Sequence, residues 1–147
     1  MNKYMKLEIA AIGENESFAR SAVAAFALAL NPSLTELSDI KTAVSEAVTN
    51  CIVHAYQGEE GWIDVKCETE GNRLHIEISD SGRGIEDVEK ARQPFFTTLA
   101  DEERSGMGFT IMQTFMSELS VQSKKGAGTL VTMSKVFGAE AEEKNAQ

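Results

Sequence analysis

The chain opens on strict alternation: Met5, Leu7 and Ile9 are apolar, and Lys6 and Glu8 between them are charged. That period of two predicts a strand with one buried face. The period then lengthens, because Phe18, Ala22, Ala25, Phe26, Ala29 and Leu30 recur at helical spacing until Asn31-Pro32 stops the run. A second helix is predicted from about Ser38 to Tyr56, on a stripe of Ile40, Ala43, Val44, Ala47, Val48, Cys51, Ile52 and Ala55 in sustained i, i+3, i+4 order. Beyond the turn Gln57 to Gly61, Ile63, Val65 and Cys67 share one face of a strand. After Gly71-Asn72, Leu74, Ile76 and Ile78 alternate with His75, Glu77 and Ser79. The pair predicts a hairpin with His75 on its surface.

Ser81 to Gly108 carries glycines at both ends, a proline and many charges but little periodicity. A segment that long without regular structure in a compact domain is functional or mobile. A helix around Phe109 to Glu118 and two strands, LSVQS and GTLVTMSKV, close the pattern. Helices on one face of a mixed, mostly antiparallel sheet make an α+β two-layer sandwich. A single domain over residues 1–137 is expected, followed by an acidic, frayed tail over 138–147.

Bulk properties narrow the function. The net charge of -9 and pI near 4.7 argue against direct binding to DNA or RNA, which needs a positive footprint. Ala22 to Leu30, the longest strongly apolar run, is too short to span a bilayer, and the opening residues alternate instead of forming a secretory segment. A cytoplasmic protein without membrane contact is expected. Cys51 and Cys67 fall in a helix stripe and a strand pattern with no Cys-x-x-Cys, so both read as buried free thiols.

Candidate chemistry begins in SEAVTNCIVHAY, residues 45–56. At about 100° per residue, Glu46, Asn50 and His54 fall in a row along one edge of the apolar stripe, each about 40° from the last. An amide oxygen such as that of Asn50 suits Mg²⁺ when phosphates and waters complete its octahedron. A carboxylate one turn earlier, at Glu46, is placed to orient or deprotonate an attacking hydroxyl. Alone, the row reads first as the polar border of an amphipathic helix.

Three further elements change that reading. Asp80-Ser-Gly-Arg-Gly84 stands at a strand end, where Asp80 can accept from an exocyclic amine and Gly82 and Gly84 let a flat base approach the backbone. Arg104-Ser-Gly-Met-Gly108 precedes a helix, whose free N–H groups can cradle phosphate; Arg104 there could meet the γ-phosphate. Gly126-Ala-Gly-Thr129 enters a strand, with a hydroxyl that could meet Asp80 and the base. Each alone is weak, and neither a Walker A loop nor a Rossmann fingerprint is present. Together, in this order, they assemble a complete Mg-ATP site.

These residues resemble the N, G1 and G2 boxes of the GHKL ATPase superfamily of DNA gyrase and the histidine kinases. Within it, the strings NESFAR, VSEAVTN, EKARQPFFTT and ERSGMGFTIM look like the sporulation anti-sigma-F factors, small serine-protein kinases related to the anti-sigma-B kinases. The resemblance spans nearly the whole chain. It implies a homodimer that binds and silences a sporulation sigma factor and phosphorylates a serine of an anti-anti-sigma partner. By matching positions, Glu46 would be the catalytic base, Asn50 the Mg²⁺ ligand and Asp80 the adenine reader, with Gly82 and Gly84 flanking the base. Ser105, Gly106, Met107 and Gly108 would bind phosphates. Residues 85–108 would form a lid over ATP, with Thr97 and Thr98 near the nucleotide and Thr129 beside Asp80.

Glu46 also favours serine over histidine as acceptor. A serine hydroxyl needs a carboxylate to take its proton, a histidine nitrogen does not, and many histidine kinases place Asn at this point. Two other readings remain open: a binding module for which ATP is only a conformational ligand, and an ATP-hydrolysing dimerisation switch of the gyrase kind. Finally, Arg20 is the sole charge between Ser17 and Leu30 and is expected to lie beside Ala24 and Ala27 on a solvent face, as an anchor for a protein partner.

Overall fold

The computed structural model describes residues 3–93 and 108–138. Strand β1 (Tyr4–Ala10) leads into α1 (Glu14–Ala27), a 3-10 turn (Leu28–Leu30) and α2 (Leu34–Asn50), which runs on without a break into a π turn (Cys51–Ala55). The hairpin β2 (Trp62–Glu70) and β3 (Arg73–Asp80) follows, then short α3 (Val88–Ala91), α4 (Gly108–Phe115), β4 (Glu118–Ser123) and β5 (Thr129–Val136). The sheet order is β1-β2-β3-β5-β4. All four pairings are antiparallel, so the α+β sandwich expected from patterning has a sheet without the mixed pairing among the described residues.

Period-two alternation decides the strands. Ile63, Val65, Cys67, Leu74, Ile76 and Ile78 all turn inward and are buried, with Val23, Ile40, Val44, Val48 and Met112 of the helices in the same core. Each such side chain contributes about 1.5–3 kcal/mol through lost apolar surface. The helices form one layer, in which α2 packs between α1 and α4. His75 is half-buried on the other face of the sheet, with Nε2 3.2 Å from Glu70 Oε2.

Three local features depart from the sequence reading. Helix α2 starts at Leu34 instead of Ser38, because Ser33 forms a reciprocal cap: its Oγ accepts from the Glu36 amide at 3.0 Å and Glu36 Oε1 accepts from the Ser33 amide at 2.9 Å. Leu34 itself is 87% exposed, and the apolar stripe begins at Leu37, which packs against the core.

The core face of α1 is also rotated from the expected one. Ala19, Val23, Ala24, Phe26 and Ala27 are buried, whereas Phe18, Ala25 and Ala29 are exposed. Ala24 and Ala27 therefore form no solvent face beside Arg20. The small buried side chains let α1 approach α2, and Arg20 lies at that seam, with Nη1 3.3 Å from Glu16 Oε1 and 3.5 Å from Ser45 Oγ.

At the end of α2 the backbone widens. The Tyr56 amide donates to the Cys51 carbonyl at 3.0 Å, one residue further back than in an α-helix. The Ala55 carbonyl is left facing the strand-end turn after β3, where the Arg83 amide donates to it at 3.1 Å.

Candidate nucleotide-binding site

The end of α2, the turn after β3, the β4–β5 turn and the start of α4 enclose a cavity of about 560 Å³. Its walls include Asn50, Cys51 and His54 of the helix, Asp80 and Gly84 of the turn, and Thr129 of β5. That volume suits a ligand of nucleotide size. Ile85, Phe109 and Val131 supply apolar surface, and Arg83, Lys90 and Lys125 supply positive charge.

Glycines set how closely these pieces meet. Gly82 lies so near Ala55 that a Cβ would stand 2.5 Å from the Ala55 carbonyl oxygen. Gly84 (φ +74°) and Gly128 (φ +86°) adopt left-handed backbone, and a Cβ on either would overlap a facing carbonyl, that of Lys124 or of Asp80. The β4–β5 turn is thereby seated on the Asp80–Gly84 turn, with the Gly126 amide donating to the Arg83 carbonyl at 2.6 Å and the Ile85 amide to Ser123 Oγ at 2.7 Å. Tyr56 closes the other side: its hydroxyl donates to the Trp62 carbonyl at 2.6 Å and accepts from the Ser81 amide at 2.8 Å.

Within this frame the Asp80 carboxylate accepts a hydrogen bond from the Gly82 amide at 2.9 Å. Burial raises its carboxyl above the usual range, against the lowering effect of the Gly82 amide. Burial likewise pushes the Cys51 thiol well up, assisted by the charge of Asp80, and burial pushes Cys67 up to about 12. Both cysteines are free and buried, as their patterning predicts. The Thr129 hydroxyl pairs with Ser123 Oγ at 2.7 Å instead of with Asp80.

At the other end, α4 begins at Gly108, whose missing Cβ would stand 3.2 Å from Asn50 Nδ2, 3.3 Å from Asn50 Oδ1 and 3.4 Å from Glu46 Oε2. Glu46 and Asn50 thus face the first turn of α4, where backbone N–H groups lack intrahelical partners. Among the described residues no group of three His, Cys, Asp or Glu could hold a metal by itself. The donor set at this end, one amide and one carboxylate, fits Mg²⁺ only if phosphate oxygens and waters complete its shell. The residues present are of the kinds that an Mg-nucleotide requires.

Of the residues singled out from the sequence, Glu46, Asn50, Asp80, Gly82, Gly84, Gly108 and Thr129 are brought together here. Thr97, Thr98, Arg104, Ser105, Gly106 and Met107 lie outside the described residues. Arg20 stands apart on α1. Sequence reasoning missed Cys51, taken for a core thiol, and Tyr56, whose hydroxyl at the border of the helix stripe was the available signal.

The family described as the histidine kinase-like ATPase domain matches residues 10–135. Among solved structures, the catalytic domain of the histidine kinase ThkA superposes with a TM-score of 0.58 at 17% identity, covering 91% of this chain and 97% of that one. The mycobacterial sensor histidine kinase MprB gives 0.55 at 21% identity over 68% of this chain and 71% of its own. These share the fold. Closer in sequence are an anti-sigma F factor of Caldanaerobacter subterraneus subsp. tengcongensis, 58% identical over 93% of this chain and 96% of that protein, and one of Thermoanaerobacter sp. (strain X514), 57% identical over 92% and 95%. A third, from Anoxybacillus flavithermus, is 52% identical over 92% and 93%. With its Asp80 and Gly108 ends spaced across one nucleotide-sized cavity, the chain belongs to the histidine kinase-like ATPase domain family and, within it, to the anti-sigma F factors.

Proposed function

We propose that this protein binds and silences a sporulation sigma factor, and that it uses Mg-ATP to phosphorylate a serine of an anti-anti-sigma partner, which switches its partners. The observation that carries the reading is the shared approach of Glu46 and Asn50 to Gly108, 3.2 to 3.4 Å from its absent Cβ, at the end of the cavity away from the base-reading Asp80. Asn50 would hold Mg²⁺, which when bound neutralises phosphate charge. Glu46 would take the proton from the attacking serine hydroxyl as its oxygen bonds the γ-phosphorus and the bond to the β–γ bridging oxygen breaks, leaving ADP. Thr97, Thr98, Arg104 and Ser105 to Met107 belong to this reading as nucleotide contacts and lid.

A homodimer in the cytoplasm, without direct nucleic-acid or membrane binding, completes the proposal. Among the described residues no strand pairs with the outer edge of β1, and this edge, with the exposed Phe18 and Leu28 on the neighbouring helical segment, supports self-association. No described helix is long and apolar enough to cross a membrane. Arg20, more than a third exposed at the α1–α2 seam, is the proposed anchor for a protein partner.

Incubation with γ-labelled ATP, Mg²⁺ and the anti-anti-sigma protein tests the kinase. Label on a partner serine, lost in Glu46→Gln and Asn50→Ala, is expected. ATP and sigma binding without transfer would leave a nucleotide-gated anti-sigma module. Consumption of ATP by the isolated protein with water as acceptor would favour the gyrase-like switch.

A further inference from the structure

Lys135 breaks the apolar pattern of β5. Val131 and Met133 turn inward and are buried, and the next inward position is Lys135, paired in register with the buried Leu74 of β3. Its side chain is 12% exposed. An ammonium group so placed gives up most of its hydration, a cost that close polar partners must offset. Two are present: Nζ donates to the carbonyl of Phe115, the last residue of α4, and lies 3.4 Å from Asp39 Oδ2 of α2.

Helices α2 and α4 therefore meet at both ends. Asp39, early in α2, joins the end of α4 through Lys135, and Asn50, at the end of α2, meets the start of α4 at Gly108. The last turn of α4 holds no basic residue of its own, so the cation that complements its free carbonyls comes from β5. The chain just beyond is tied to the same strand, with the Ser117 amide donating to the Ser134 carbonyl at 2.8 Å and the Val136 amide to Ser117 Oγ at 3.0 Å. At 8 residues α4 is about 12 Å long, so a tilt of about 5° at its held end moves the other end by about 1 Å. A displacement of that size at a reacting centre can cost about 10²-fold.

We propose that Lys135 is a positioning residue for the metal end of the site: by tying the end of α4 to α2 and β5, it sets where Gly108 meets Asn50. This rests on the reading of that end as the place of Mg²⁺ and phosphate. Lys135 does not line the cavity, so it acts through the placement of α4 and not by touching the ligand. The base end, at Asp80, is held by the turn after β3, the π turn and the β4–β5 turn. Loss of the tie therefore falls on the contribution of the metal and spares that of the base.

The test is calorimetric ATP affinity with and without Mg²⁺, the ratio of the two being the enhancement by the metal. Lys135→Met, of similar shape without the charge, is expected to lose roughly fivefold or more of the wild-type enhancement while metal-free affinity stays within about twofold. Lys135→Arg, which keeps a cation and its donors, is expected to recover most of it. Asp39→Asn leaves the lysine in place and removes its carboxylate partner; it should lose enhancement in the same sense, which covers a methionine variant that fails to fold. An unchanged enhancement in Lys135→Met and Asp39→Asn would overturn the proposal. So would equal weakening with and without the metal, the mark of general loosening, or a loss in Lys135→Arg as large as in Lys135→Met. Wild-type protein whose ATP affinity does not respond to Mg²⁺ would overturn the metal reading of the site itself, and is thereby distinguished from failure of the Lys135 role alone.

Discussion

The backbone of Gly108 lies against the side chain of Asn50, so closely that a Cβ would come within 3.2 Å of Nδ2 and 3.3 Å of Oδ1. Side chains rarely tolerate contacts that tight, so Asn50 would have to move. Gly108→Ala is expected to weaken Mg-ATP binding by roughly tenfold, and Gly108→Val by more, with the larger part of the loss appearing only when Mg²⁺ is present. Calorimetric titrations with and without the metal decide it. Wild-type affinity in the valine variant would mean that Asn50 is not held there for the metal.

Gly84 and Gly128 make the seat on which the β4–β5 turn rests. Both combine positive φ with a facing carbonyl that a Cβ would overlap. Replacement by alanine incurs backbone strain and loss of close contact together, an expected cost of about 2 kcal/mol or more for each. Gly126, at φ +81° but with open space around it, isolates the backbone part alone and should cost about 1 kcal/mol. Urea unfolding of the three variants should separate them in that order; equal losses would remove the contact contribution.

Burial holds the Asp80 carboxyl above its ordinary range in the folded protein. In the window between that ordinary range and the raised folded value, the unfolded chain is ionised while the folded one keeps its proton. Stability conferred by Asp80 therefore falls as pH rises through the window. Asp80→Asn lacks this loss, so without nucleotide it should melt at or above the wild-type temperature at pH 7, with the gap narrowing as pH falls toward about 4. The same variant should bind ATP at least about tenfold more weakly, because an amide nitrogen cannot accept from the base amine. A lower melting temperature than wild type at pH 7 would contradict the sign.

Arg20 joins Glu16, Ser17 and Ser45 at the α1–α2 seam, one residue before Glu46. Charge reversal in Arg20→Glu places two carboxylates an α-helical turn apart and removes the proposed anchor. Affinity for the sigma factor or its antagonist is expected to fall about tenfold or more while the melting temperature stays within a few degrees. Unchanged affinity for both partners, measured by surface plasmon resonance, would end its assignment as a docking residue.

The strands and the chemical ends of the site were legible in the chain itself. Alternation in Ile63-Val65-Cys67 and Leu74-Ile76-Ile78, broken by Gly71-Asn72, leaves little choice of pairing, since a slip of one residue would turn every apolar side chain outward. Glu46 and Asn50 share a helix edge by spacing alone, and Asp80 ends a strand by its place before Ser81-Gly82. Local periodicity and covalent order determine such features, and both are present in the sequence.

Other features depended on what packs against them. In α1, alanines occupy every side, so two stripes a residue apart are equally apolar, and only the approach of α2 selects Ala19, Val23 and Ala27 as the buried one. The π turn has no periodic signature; it forms where Ala55 must meet the Arg83 amide, a contact between residues far apart in the chain. Cys51 looks like any core cysteine until the folded chain places it in the wall of the cavity that Asp80 also lines. The sequence alone thus determined which residues could do the chemistry, because residue type and local spacing carry it. Only the tertiary structure decided which of them meet, because hydrogen bonds between distant segments, and the glycines that let those segments touch, become definite only once the chain has closed.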